Sequence, residues 1–155
     1  MGKWHEGQTR RYFEGQLKPQ FVERFTDSVY MQHGRMMSAA SPPDLIVLGC
    51  NDKQHYLVES KAKHGVSIPF DRLIPHQHSK LVDFDYIGDT FHGIVSLLYY
   101  KEGWDKWKRM FLVPILEWET WKETLGRKSL PMKVVADSSE CTELVWVPGD
   151  GWRNE

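Results

Sequence analysis

The chain has 155 residues, 41% of them apolar and 26% charged, which is the make-up of one globular domain large enough to bury a core. No apolar run approaches the roughly 20 residues needed to span a bilayer, and the start, Met1-Gly2-Lys3-Trp4-His5-Glu6, has neither a secretory apolar stretch nor the Ser or Thr that myristoylation wants where Glu6 stands. The net charge of −1 is uneven, because residues 1–133 hold 19 Lys and Arg against 16 acids while the 22 residues after them carry −4, so the body permits a polyanionic partner without demanding one.

Residues 4–17 have mixed polarity and no proline, and they run into Lys18-Pro19, which predicts a helix stopped by the proline. Phe21, Val22 and Phe25 continue an apolar face and predict a short second helix. Residues 28–31 are predicted as a strand, and residues 34–43, rich in Gly, Ser, Ala and Pro, as a loop. The apolar runs 45–48 and 55–58 flank Gly49-Cys50-Asn51-Asp52-Lys53-Gln54, which predicts a hairpin. Residues 61–69 lead out of its second strand, and a helix follows over 72–84 with Pro75 in its first turn. The run 93–100 predicts a strand buried on both faces, with residues 109–113 as its partner across a turn at Glu102-Gly103. Residues 117–125 predict a short helix closed by Gly126. Residues 132–136 and 144–147 predict a second hairpin. The order implies an α/β domain with a central mixed sheet flanked by helices over 1–128, and a tail, 129–155, belonging to it or to a subunit interface.

The chemistry concentrates in Pro43-Asp44, opening the first hairpin strand, and Glu59-Ser60-Lys61, ending the second. Neighbouring strands lie about 4.8 Å apart, so the hairpin brings the two carboxylates together. Carboxylates that close repel one another, and a divalent cation is the usual compensation. Hard oxygen donors point to Mg²⁺ or Mn²⁺, with the Ser60 carbonyl as a third protein ligand. Glu59 and Lys61, two apart on a strand, face the same side, so Lys61 can reach a water or a phosphate at the ion. Such a set suits phosphodiester hydrolysis. A surface strand with solvated charges is the bland alternative. Neither short motif is specific alone, whereas their joint position on successive strands is.

Pro42-Pro43-Asp44-Leu45-Ile46 followed by Tyr56-Leu57-Val58-Glu59-Ser60-Lys61 resembles the active-site core of archaeal- and phage-type Holliday-junction resolvases, within the PD-(D/E)xK nucleases. Lys61-Ala62-Lys63 through Pro75-His76-Gln77 resembles the bacterial branch of that group. The resemblance implies a restriction-endonuclease-like fold and a Mg²⁺-dependent endonuclease. It further implies a homodimer acting on branched DNA, the four-way junction, in the cytoplasm of a prokaryotic or phage-infected cell. It implies a Glu on the first helix that completes the metal site, which Phe13-Glu14 matches, so Glu14 is the candidate and Glu6 its competitor. It places Gln77 near the phosphate and a serine, Ser38 or Ser41, in the loop before Pro-Asp. Arg10, Arg11, Arg35, Lys63 and His64 are candidate phosphate contacts.

Other constellations are weaker. His76 and His78 lack a Cys pair or a helical His partner for zinc, and Cys50 and Cys141 form no disulfide framework. Trp104 and Trp107, interleaved with Lys106, Lys108 and Arg109, suggest a stacking surface, while Trp118 and Trp121 suit a helix face packed on the sheet.

Overall fold

The computed structural model describes residues 1–25, 29–32, 35–38, 42–101 and 107–154, with the backbone alone over 29–32 and 35–38. In chain order the elements are α1 (Gly2–Tyr12), continued by a π-helical turn (Phe13–Leu17), then β1 (Phe21–Arg24), β2 (Val29–Gln32), β3 (Arg35–Ser38), β4 (Leu45–Leu48), β5 (His55–His64) and β6 (Ser67–Pro69). A 3-10 turn (Phe70–Arg72) follows, then α2 (Pro75–Asp85), β7 (Phe91–Tyr100), β8 (Lys108–Pro114), α3 (Ile115–Thr124), β9 (Ser129–Pro131), α4 (Met132–Ala136), β10 (Thr142–Val147) and β11 (Gly151–Asn154). The described residues form an α/β structure around a seven-stranded mixed sheet in the order β1-β4-β5-β7-β8-β10-β11. Only β5 and β7 run parallel within it. A parallel pair needs a long crossover, and α2 lies on the connection between them.

Strand β7 is central, and its residues from Gly93 to Tyr99 are buried on both faces. Val95, Leu97 and Tyr99 enter a core with Phe111, Val113, Ile115 and the fully buried Trp118, beneath α2 and α3. Ile94 and Leu98 enter the opposite core with Val58, Met110, Leu112, Leu144, Tyr12 and Phe13. The helix α1 covers that second face with His5, Gln8, Thr9 and Tyr12, which recur at helical spacing. Three of those four are polar, because the sheet offers Ser96 and Ser60 beneath them: His5 Nε2 and Thr9 Oγ1 each lie 3.0 Å from Ser96 Oγ, and Ser60 Oγ is 3.4 Å from Thr9 Oγ1. Burial pushes the His5 imidazole down to about 3, so it stays neutral.

Gly93 fixes how closely α2 meets the sheet. A Cβ there would stand 2.2 Å from the backbone oxygen of Leu81, which no rotamer change can relieve. Gly93→Ala should therefore cost about 3 kcal/mol or more, readable in a urea melt; a change under about 1 kcal/mol would mean that α2 is free to move.

Several sequence expectations need correction. Residues 21–24 form a strand and not a helix: Val22 is their one partly buried side chain, and their backbone pairs antiparallel with β4. The segment expected as a loop over 34–43 contains β3, paired with β2, while positions 34 and 39–41 lie outside the described residues. The second hairpin strand does not end near Glu59, because pairing with β7 carries β5 on to His64. Residues 132–136 form α4 and not a strand. Strand pairing there belongs to β9, which joins β6, and Pro131 then opens the helix. The expected partner of that segment, β10, instead bonds β8 on one side and β11 on the other, which extends the main sheet. The turn at Glu102-Gly103 lies outside the described residues. The helix at 115–124 closes before Gly126, whose φ of +61° suits glycine.

Candidate active site

Asp44 precedes β4 and lies across from Glu59 on β5, since Leu45 pairs with Val58. Two backbone-to-side-chain bonds hold the strand ends together. The Asp44 N–H donates to Glu59 Oε2 at 3.2 Å, and the Ser60 N–H donates to Asp44 Oδ2 at 2.8 Å. In a strand the N–H and C=O of one residue point to the same edge, so the Ser60 carbonyl faces the Asp44 side as well. The next strand out helps to hold the spot, with the Phe25 N–H donating to the Asp44 carbonyl at 2.9 Å. Among the described residues, β4 pairs with β5 only as far as Val58, and no other strand pairs with that edge of β5 beyond it.

Lys61 lies two residues on, on the same face as Glu59, and its ammonium is 2.6 Å from Glu59 Oε1. It also donates to Gln77 Oε1 at 3.1 Å, which ties β5 to the buried side of α2. Beside them opens a cleft of about 350 Å³ lined by Ser60, Lys61, Ala62, Arg72 and Tyr100. The Arg72 guanidinium reaches the Ala62 carbonyl at 3.3 Å and is otherwise exposed.

Glu59 is only 2% exposed. Burial, then the charge of Asp44, pushes its carboxyl up to about 7, against the pull of Lys61 and the Asp44 N–H. Burial likewise pushes Asp44 up to about 6, with the charge of Glu6 adding to the rise and the Ser60 N–H opposing it. Two acids held this way favour a cation or a proton over joint ionisation.

Of the two helix carboxylates, Glu14 and Glu6, it is Glu6 whose charge acts on Asp44. Glu6 pairs with Arg24 at the end of β1 and acts on the charge of Asp44. Glu14 is the second residue of the π-helical turn and is bound to Arg10 at 2.8 Å in solvent. The helix docks through His5 and Thr9, and that register brings position 6 to the acids and leaves position 14 two turns away. A Phe-Glu dipeptide could not reveal this, because the docking face is polar.

Among the described residues no three His, Cys, Asp or Glu side chains converge as a metal would need in the rotamers present. In kind the donors fit a hard divalent ion: two carboxylates are in place with the Ser60 carbonyl beside them, and the third, Glu6, is turned to Arg24.

The remaining candidates scatter. Arg10 is engaged by Glu14, and Arg11 lines a different cleft with Trp146 and Trp152. Lys63 and the exposed His64 lie at the far end of β5, where the His64 ring meets Tyr100 edge-on at 5.6 Å. Arg35 and Ser38 bound β3, whose side chains are outside the described set, as is the whole of Ser41. Arg72 and Arg24 went unremarked as site residues, since neither stands in a motif. Trp104 and Lys106 are likewise outside the described residues, and Trp107 packs against the core with Lys101 over its ring at 4.9 Å. Burial pushes the Cys50 thiol up to about 11, which keeps it protonated. No helix among the described residues is long and apolar enough to cross a membrane. The chain matches no protein-family model and no curated protein.

Proposed function

We propose that the chain is a metal-dependent DNA endonuclease of the PD-(D/E)xK class with a restriction-endonuclease-like fold, and that its substrate is a four-way junction cut by a homodimer. The observation that carries this reading is the clasp of Asp44 against Glu59-Ser60, made by the Asp44 N–H to Glu59 and the Ser60 N–H to Asp44, with the Lys61 ammonium 2.6 Å from Glu59. A nonspecific surface strand has no reason to bury two acids against each other beside a lysine, because each burial costs free energy that solvent would spare. The junction and the dimer rest on the sequence resemblance, and symmetric cutting of two strands needs two facing sites, which a two-fold dimer supplies.

In this reading Asp44, Glu59 and the Ser60 carbonyl hold Mg²⁺ or Mn²⁺, with Glu6 as the third carboxylate. A bound divalent ion supplies an acidified water and offsets phosphate charge. The protein's own part is positioning. Lys61, held between Glu59 and Gln77, meets the negative charge that grows on the phosphate oxygens in the transition state. Gln77 keeps that ammonium aimed, and Arg72 at the cleft wall contacts the backbone of the strand.

The test is cleavage of a synthetic four-way junction in Mg²⁺ and in EDTA, against linear duplex and flap DNA of matched length. Mg²⁺-dependent cutting of the junction alone is expected. Equal cutting of the linear duplex would remove the junction from the proposal, and no cutting of any DNA would remove the nuclease.

The placement of the two helix acids makes a sharper expectation. Glu6→Gln should slow single-turnover cleavage by roughly 10–100-fold, the effect of losing a group at the edge of a metal site. Glu14→Gln should stay within about twofold, as an exposed i,i+4 partner of arginine contributes little. The reverse ranking would restore Glu14 to the site.

A further inference from the structure

We propose that Trp146 and Trp4, with the Lys108 ammonium over both rings and Tyr100 beside them, form a docking surface for unpaired nucleotides of a DNA strand that enters the cleft beside Lys61. This deepens the nuclease reading and rests on it for the identity of the polyanion as DNA.

The sheet puts these groups on one face. Along β5, Ser60, Ala62 and His64 alternate onto the side covered by α1. The parallel register sets His64 opposite Tyr100, and Tyr100 pairs with Lys108 on β8. Leu144 of β10 pairs with Met110 of β8 and shares its core, so Trp146, two residues on, faces the same way. Tyr100 also lines the cleft that Lys61 and Arg72 reach from the edge of β5, and Lys108 and Trp146 follow it on the next two strands.

Its chemistry suits bases and phosphates together. Lys108 Nζ lies 4.4 Å from the Trp146 centroid and 5.3 Å from that of Trp4, and the two indoles are 6.4 Å apart at 43°. Trp146 also makes a T-shaped contact at 5.5 Å with its cross-strand partner Trp152, so the ring is braced from the side while it remains 38% exposed. An indole held in one orientation stacks a base at small entropic cost, and every base has a face to offer. Two described acids at this end of the sheet are already paired, since Arg109 clamps Glu143 through two 2.6 Å bonds and Arg153 holds Asp150 at 2.6 Å. In an intact duplex the base faces are hidden within the stack. Rings on this face therefore engage only nucleotides whose stacking is broken, which makes the substrate DNA with unpaired bases near the cleft.

The experiment uses the full chain in EDTA, with a labelled 15-nucleotide oligo-dT and a blunt 15-base-pair duplex read by fluorescence anisotropy. The wild type should bind oligo-dT more tightly than the duplex. Trp146→Ala should weaken oligo-dT binding about tenfold and the duplex by under about twofold, and Lys108→Gln should weaken oligo-dT about threefold. If Trp146→Ala melts well below the wild type, Trp146→Phe, which keeps a ring against Trp152, takes its place with a smaller loss of the same selectivity. Unchanged oligo-dT affinity, or equal losses on both probes, would overturn the proposal. So would sedimentation showing that Trp146→Ala splits a dimer, since a second copy of the chain would then cover the face. Oligo-dT binding without any DNA cleavage would sink the nuclease reading and leave this surface standing. Cleavage without oligo-dT binding would do the opposite.

Discussion

Asp44→Asn should abolish junction cleavage, lowering the single-turnover rate on the order of 10³-fold or more, while the affinity for the junction in EDTA stays the same or rises. Asparagine keeps an oxygen to accept from the Ser60 N–H, so the 2.8 Å contact that orients the side chain survives. The backbone contacts of Asp44 to Glu59 and Phe25 do not depend on its side chain and survive too. What disappears is one of the two buried carboxylates proposed to hold the ion. Removing a negative charge beside a polyanion also removes repulsion, hence the unchanged or tighter binding. Turnover within tenfold of the wild type would take Asp44 out of the chemistry. Loss of both cleavage and binding, with a lowered melting temperature, would mean that the substitution had damaged the fold.

The parts of the molecule legible in the sequence are those where one physical signal dominates. The hairpin of β4 and β5 shows itself by two apolar runs around a turn, and that hairpin alone sets Asp44 against Glu59. The apolar strand β7 is equally plain, as burial on both faces leaves no room for charge. What stayed hidden was decided by tertiary partners. The short β1 has one partly buried side chain and exists because β4 offers it an edge. Residues 132–136 contain two valines and look like strand, yet the extended pairing is used up at 129–131. The choice between Glu6 and Glu14 turns on His5 and Thr9 finding Ser96 across more than 85 residues of chain, and no local pattern encodes that register. Stacking was expected at Trp104 and Trp107. Trp107 serves the core instead, while Trp4 and Trp146 meet only once β10 joins the sheet.

In metal-free buffer the double variant Asp44→Asn/Glu59→Gln should be more stable than the wild type at pH 8, and this advantage should shrink by about 4 kcal/mol between pH 8 and pH 5. Both carboxyls are pushed above their ordinary values of 3.8 and 4.5, to about 6 and about 7. A group whose folded pKa is raised takes up a proton on folding, so its stabilisation is complete below the unfolded value and is lost as pH rises through the folded one. For this pair the loss runs from about pH 4 to about pH 7. His5 works in the other direction: buried and pushed down to about 3, it penalises folding once the unfolded imidazole protonates below its ordinary 6.5. That penalty is about 2 kcal/mol at pH 5, which is why the difference between two proteins that share His5 is the quantity to measure. Mg²⁺ at several millimolar should raise the melting temperature of the wild type at pH 8, less at pH 5 where protons compete, and not that of the double variant at either pH. A wild type indifferent to Mg²⁺ at pH 8 would show that the Asp44–Glu59 clasp holds no divalent ion, whatever the cleavage assay returns.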